Sequence, residues 1–98
     1  MIDWTRVVGF DWDAGNERKS VDKHGVRQTE AEEAFFNQPL LVLEDEHHSA
    51  DERRFHALGR TEAGRRLQIT FRREGLRVRV LSARDMSARE RVIYDKSA

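Results

Sequence analysis

The clearest periodic pattern in the chain lies between Leu67 and Val80, where Leu67, Ile69, Phe71, Val78 and Val80 alternate with Gln68, Thr70, Arg72, Arg77 and Arg79. Period-two alternation marks a strand with one buried face. Glu74-Gly75 between the two runs reads as a two-residue hairpin turn, which sets Arg72 opposite Arg77 and Phe71 opposite Val78. The hairpin then has one apolar face and one face dominated by guanidinium groups, a surface suited to anions.

The other elements follow the same logic. Val7 to Trp12 has the β-branched and aromatic content of a short strand. A helix follows it, capped by Asp13 or Asn16 and stopped by Gly25. Its apolar content is little more than Ala14 and Val21, so it is expected on the surface. A second helix starts at a capping box formed by Thr29 and Glu32, turns Ala31, Ala34 and Phe35 inward, and ends by Gln38 ahead of Pro39. Leu40 to Leu43 reads as a buried strand, bounded by Glu44-Asp45-Glu46 and a polar loop from His47 to Asp51. Arg54 to Gly59 forms the next strand and Thr61 to Gly64 the turn before the hairpin strands, Arg66–Arg72 and Leu76–Ala83. A last helix begins at Ser87, with Glu90 at the capping-box position and Ala88, Val92 and Ile93 facing the core. Three strands joined by short turns make an antiparallel meander. The expected fold is therefore α+β: a mostly antiparallel sheet with two N-terminal helices and a C-terminal helix packed on it, the arginine face left open.

Composition narrows this to one thin-cored domain over residues 1–98, with 38% hydrophobic and 37% charged residues. No apolar run approaches the roughly 20 residues of a membrane helix, and Met1 to Thr5 lacks the regions of a signal peptide. A cytoplasmic protein without a membrane role is expected. With no cysteine, the sequence has no disulfide and no thiolate zinc site. The zero net charge conceals a division: residues 1–52 carry 13 acidic and 5 basic side chains, and residues 53–98 carry 13 basic and 5 acidic. Twelve of those 13 cations are Arg, whose planar fork grips phosphate and stacks on bases. Such asymmetry points to a polyanion partner, or to two halves that neutralise each other.

A set of short elements spread from Phe10 to Tyr94 resembles the BrnT family, the toxin halves of bacterial type II toxin-antitoxin systems. They are Phe10-Asp11-Trp12-Asp13, Lys23-His24-Gly25-Val26, Glu33-Ala34, Pro39, Asp45 with His48-Ser49, Glu52 with Arg54, Leu58-Gly59, Gly64-Arg65, Ser82-Ala83-Arg84, and Glu90-Arg91 with Tyr94. The resemblance implies a RelE-like fold, metal-independent RNA cleavage that blocks translation, and neutralisation by a BrnA-type antitoxin that also binds operator DNA. The chain departs from the family pattern at Ser20, where Asn is frequent, and at Arg72-Arg73, where a Thr and an acidic residue are common.

Metal-free RNA cleavage needs a group to take the proton of the 2′-hydroxyl, one to protonate the leaving oxygen, and cations for the charge on the phosphoryl group. His48 is the first candidate for proton transfer, since imidazole titrates near neutral pH; hydrogen bonding to Asp45 or Asp51 would instead make it structural. Arg54, Arg79 and Arg84, the last placed just past the strand end, are candidates for a phosphate clamp, and Lys23, Arg72, Arg73 and Arg77 for further contacts to RNA. Glu90 reads either as a helix cap or as a base or orienter of Arg84. Tyr94 reads as a stacking or proton-donating phenol or as core. His47, His48, Asp45 and Asp51 match no familiar ligand spacing, so no metal or other cofactor is expected. Lys23 to Val26 resembles a helix-turn-helix corner, but Glu30, Glu32 and Glu33 would repel phosphates, which leaves operator DNA to the antitoxin complex. A basic antitoxin segment could dock on those glutamates or on Glu44 to Glu46. The rival readings are a non-catalytic RNA- or protein-binding module and the co-repressor half of a DNA-binding complex.

Overall fold

In a computed structural model of the chain, the structure describes residues 9–12, 15, 24–45 and 53–97. Within them lie strands β1 (Gly9–Asp11), β2 (Leu41–Asp45), β3 (Arg54–Arg60), β4 (Arg66–Glu74) and β5 (Arg77–Asp85), and helices α1 (Gln28–Phe36) and α2 (Ala88–Ser97). The sheet order is β1-β5-β4-β3-β2. β2 to β5 form the expected antiparallel meander, and β1 adds to β5 in parallel. The first of the two expected N-terminal helices falls largely outside the described residues.

The core lies between α1 and one face of the sheet. Ala31, Ala34 and Phe35 point inward as their helical spacing predicts, and Phe35 meets Phe71 edge-on at 5.0 Å while Phe71 stacks on Phe55 at 5.5 Å. A side chain at Gly59 would lie 2.7 Å from the Ala34 carbonyl oxygen, so this glycine lets helix and strand approach closely. The capping carboxylate of α1 is Glu30, not Glu32: it accepts from the Arg27 backbone N–H at 3.1 Å, which places Thr29 inside the helix.

The hairpin turn is Gly75-Leu76, one position later than the alternation suggests, with Gly75 at a φ of +63° that favours glycine. Phe71 therefore pairs with Val80 and Arg72 with Arg79. The slip is by two residues along β5, so it leaves the face assignment intact. Beyond it, an irregularity at Thr70/Phe71 pairs Thr70 with Ser82 and Gln68 with Arg84, leaving Leu81 as the extra residue. From that bulge on, the parity of β5 is reversed. Ala83, not Ser82 or Arg84, goes to the core, and Arg84, expected past the strand end, lies within β5 on the arginine face.

Two further expectations are corrected. β2 is an edge strand and Leu43 is 75% exposed, because only one neighbour and one face shelter it. The C-terminal helix does not join α1. It lies against the arginine face, where its Glu90 bonds Arg84 and its Ile93 shares a hollow with Leu58. Ser87 and Glu90 do cap each other reciprocally, at 2.8 and 3.2 Å. However, the residue α2 buries is Tyr94, while Val92 and Ile93 stay 55% and 48% exposed and Ala88 is exposed as well.

Arg65 ties the ends of these elements together. Its Nε and Nη2 donate to the two oxygens of Asp85 at 2.7 and 3.0 Å, and its Nη1 to Glu30 at 3.2 Å and to the Gly25 carbonyl at 2.9 Å. Hydrogen bonding to Arg65 holds the Asp85 carboxyl below its ordinary range against the opposing effect of burial. The folded state therefore binds this proton later than the unfolded chain as pH falls. The stabilisation is complete above the ordinary carboxylate value of about 4 and drains below it. Arg65→Met is expected to cost about 2 kcal/mol at neutral pH and to flatten the acid limb of stability. Urea midpoints of both proteins at neutral and acidic pH check this.

Candidate active site

With the bulge in place, the open face of the sheet becomes a grid of three rows. The first runs Asp45, Arg54, Arg72, Arg79, Asp11 across all five strands. The second runs Leu43, His56, Thr70, Ser82, and the third Leu41, Leu58, Gln68, Arg84. Strands lie about 4.8 Å apart, so Arg54, Arg72 and Arg79 stand side by side, an arrangement that like charges disfavour. The carboxylates at both ends of the row and the Arg72–Glu74 pair at 2.8 Å offset part of that cost.

Below this row, a hollow of about 960 Å³ opens between the sheet and α2, with His56, Gln68, Arg84, Glu90, Leu58 and Ile93 in its walls. Arg84 is held by Glu90 in bidentate fashion, its Nη1 and Nη2 donating at 2.7 and 3.0 Å, and Nη1 also donates to the Asp85 carbonyl at 3.0 Å. Hydrogen bonding to Glu90 raises Arg84 further above its ordinary range, and hydrogen bonding to Arg84 keeps the Glu90 carboxyl below its own. Both side chains reach solvent, at 38% and 23% exposure. A phosphate arriving in the hollow competes with Glu90 for Arg84. Glu90→Gln, which keeps an amide oxygen for the cap, is expected to tighten RNA binding severalfold at low salt. It should cost at most about 1 kcal/mol of stability. Fluorescence anisotropy with labelled RNA across a salt series checks the first effect and urea unfolding the second.

His56 stands at the centre of the grid. Its Nε2 lies 2.9 Å from Asp45 Oδ2, and its Nδ1 lies 2.9 Å from Thr70 Oγ1 and 2.7 Å from the Gln68 amide nitrogen. A carboxylate only accepts, so in the neutral ring the hydrogen sits on Nε2, and the Thr70 hydroxyl and the Gln68 amide share the one lone pair of Nδ1. The ring is about one-third exposed, whereas Asp45 is 10% exposed.

The remaining candidates scatter. Arg77 lies at the sheet edge, donating from Nε to Asp11 at 2.5 Å and from Nη2 to the Phe10 carbonyl at 3.0 Å. Arg73 pairs with Val78, which puts it on the α1 side of the sheet, and its Nε donates to the Gly75 carbonyl at 2.6 Å. Tyr94 is 2% exposed, and its hydroxyl donates to the Pro39 carbonyl at 2.7 Å; burial raises its phenol above the ordinary value. His48 and Lys23 lie outside the described residues, as do His47 and Asp51. The sequence offered Asp45 as a partner for His48 and did not single out His56, which is the histidine that Asp45 bonds. Period-two spacing from Arg54 already places His56 on the arginine face, but the partners come from β2 and β4, and only pairing brings them to it.

No curated protein matches the chain. Among solved structures, the crystal structure of the Brucella abortus ribonuclease toxin BrnT superposes with a TM-score of 0.64 at 23% identity. The match covers 81% of this chain and 96% of that one, and it establishes a shared fold. Residues 12–90 match the family described as ribonuclease toxin, BrnT, of type II toxin-antitoxin systems. That span includes β2 to β5 and the start of α2, and so the whole arginine grid but Asp11; the chain belongs to the BrnT family of ribonuclease toxins.

Proposed function

We propose that the chain is an endoribonuclease of RelE-like fold that works in the cytoplasm without a metal, arrests translation and growth, and is neutralised by a BrnA-type antitoxin. Operator DNA would be reached only through that antitoxin. The observation that supports this most is the gathering of Arg54, Arg72, Arg79 and Arg84 on one open face beside a hollow, with Arg84 brought there by the bulge. Cations fixed in place before substrate arrives stabilise charge on a phosphoryl group without reorganising. In this reading Arg54, Arg79 and Arg84 hold the scissile phosphate, and Arg72 tracks the backbone. Glu90 acts by controlling Arg84. His48 stays a candidate for proton transfer, and Lys23, Arg73 and Arg77 for peripheral contacts to RNA.

The test is purified protein incubated with RNA in EDTA, alongside Arg54→Ala, with growth followed on expression. Cleavage by the wild type that Arg54→Ala slows supports the reading. Intact RNA with no growth arrest overturns it, and salt-sensitive binding without cleavage identifies a non-catalytic RNA-binding module.

A further inference from the structure

The arginines supply cations but accept no proton, and the same face holds an imidazole built into the sheet. We infer that His56 is the proton acceptor of this site, drawing the proton of the RNA 2′-hydroxyl through the Thr70 hydroxyl while Asp45 holds the ring. The inference rests on the ribonuclease reading above.

Three observations carry it. First, Asp45, His56 and Thr70 form an unbroken line of carboxylate, imidazole and hydroxyl, with both links at 2.9 Å. Second, the line begins at a sheltered carboxylate on the edge strand β2 and ends on Thr70, half-buried on the central strand β4, so it runs from the sheet edge towards the arginines. Third, Thr70 sits in the row between Arg72 and Gln68, and its cross-strand neighbours are His56 and Ser82. A phosphate spanning Arg79 and Arg84 would lie over Ser82, the cross-strand neighbour of Thr70.

The 2′-oxygen attacks the adjacent phosphorus, the O2′–P bond forms and the P–O5′ bond breaks, leaving a 2′,3′-cyclic phosphate. The 2′-hydroxyl proton passes to Thr70 Oγ1 as Thr70 gives its own to His56 Nδ1, and the departing 5′-oxygen takes a proton from water. The imidazolium formed is met by the Asp45 carboxylate and later returns its proton to solvent. Other charged groups around the ring are Arg54 two positions along β3, Arg72 on β4, Arg84 on β5 and Glu90 on α2, while Glu44 on β2 pairs with Phe55 and turns to the other face of the sheet. Arg84 and Glu90 neutralise each other, which leaves Asp45 as the charged partner in direct contact. Thr70 is the group that touches substrate; Asp45 is a positioning residue.

Single-turnover cleavage of RNA as a function of pH decides the matter, with RNA binding and circular dichroism measured on the same samples. The wild-type rate should rise with pH, as expected of a step that needs an unprotonated base. His56→Gln is expected to keep the fold and the RNA affinity, to cleave at least about 100-fold more slowly, and to lose that rise. Thr70→Ser should cleave like the wild type and Thr70→Val like His56→Gln. A folded His56→Gln that keeps the wild-type rate, or is slow but keeps the pH-dependent rise, overturns the inference and leaves the ribonuclease reading standing. Should His56→Gln fail to fold, equal rates for Thr70→Ser and Thr70→Val overturn it. A wild type that never cleaves removes both readings.

Discussion

Arg84→Ala is expected to lower RNA cleavage by about 10²- to 10³-fold, the usual loss when one fixed donor to a developing oxyanion is removed. The guanidinium is held at the mouth of the hollow by the two hydrogen bonds it donates to Glu90, so its position is set before RNA arrives. The variant also leaves the Glu90 carboxylate without its partner while retaining the cap to the Ser87 backbone N–H. Stability should therefore change little and α2 should persist. Two comparisons isolate the electrostatic contribution. Arg84→Lys keeps the charge but not the planar fork, and should recover only part of the activity. Arg84→Ala with Glu90→Gln should be as slow as Arg84→Ala alone, since Glu90 acts in this reading only through Arg84. Single-turnover rates at saturating protein, with circular dichroism as the fold control, check all three.

Phe71→Ala is expected to cost about 3 to 5 kcal/mol, a large part of the 5 to 15 kcal/mol by which a domain is held folded. Phe71 is fully buried and meets Phe35 of α1 edge-on and Phe55 of β3 in a stack. Its removal takes apolar surface out of the core and leaves a cavity where helix, β3 and β4 join. The same ring stands one residue from the bulge that turns Arg84 to the open face, so loosening it also loosens the site. As a reference, Val92→Ala on the exposed side of α2 should change stability by no more than about 0.5 kcal/mol. Urea unfolding of the three proteins, with cleavage measured well below each midpoint, separates the loss of fold from the loss of activity.

The sequence by itself determined the meander, the inward set Ala31, Ala34 and Phe35, the reciprocal Ser87–Glu90 cap and the arginine face of the hairpin. Each rests on a period or a contact within a few residues, and such short-range rules are written into the chain. It also carried the family resemblance, because that too is a matter of residues in order. What it did not decide depends on pairing. A one-residue bulge at Leu81 reverses which side chains of β5 face out, and nothing in the local pattern of Val80-Leu81-Ser82-Ala83 marks where it falls. The side of the sheet that α2 covers is set by Tyr94 reaching Pro39, 55 residues back along the chain. His56 acquires its meaning in the same way. On its strand it is one polar residue among alternating ones, and only the register of β2 and β4 sets a carboxylate against one ring nitrogen and a hydroxyl against the other.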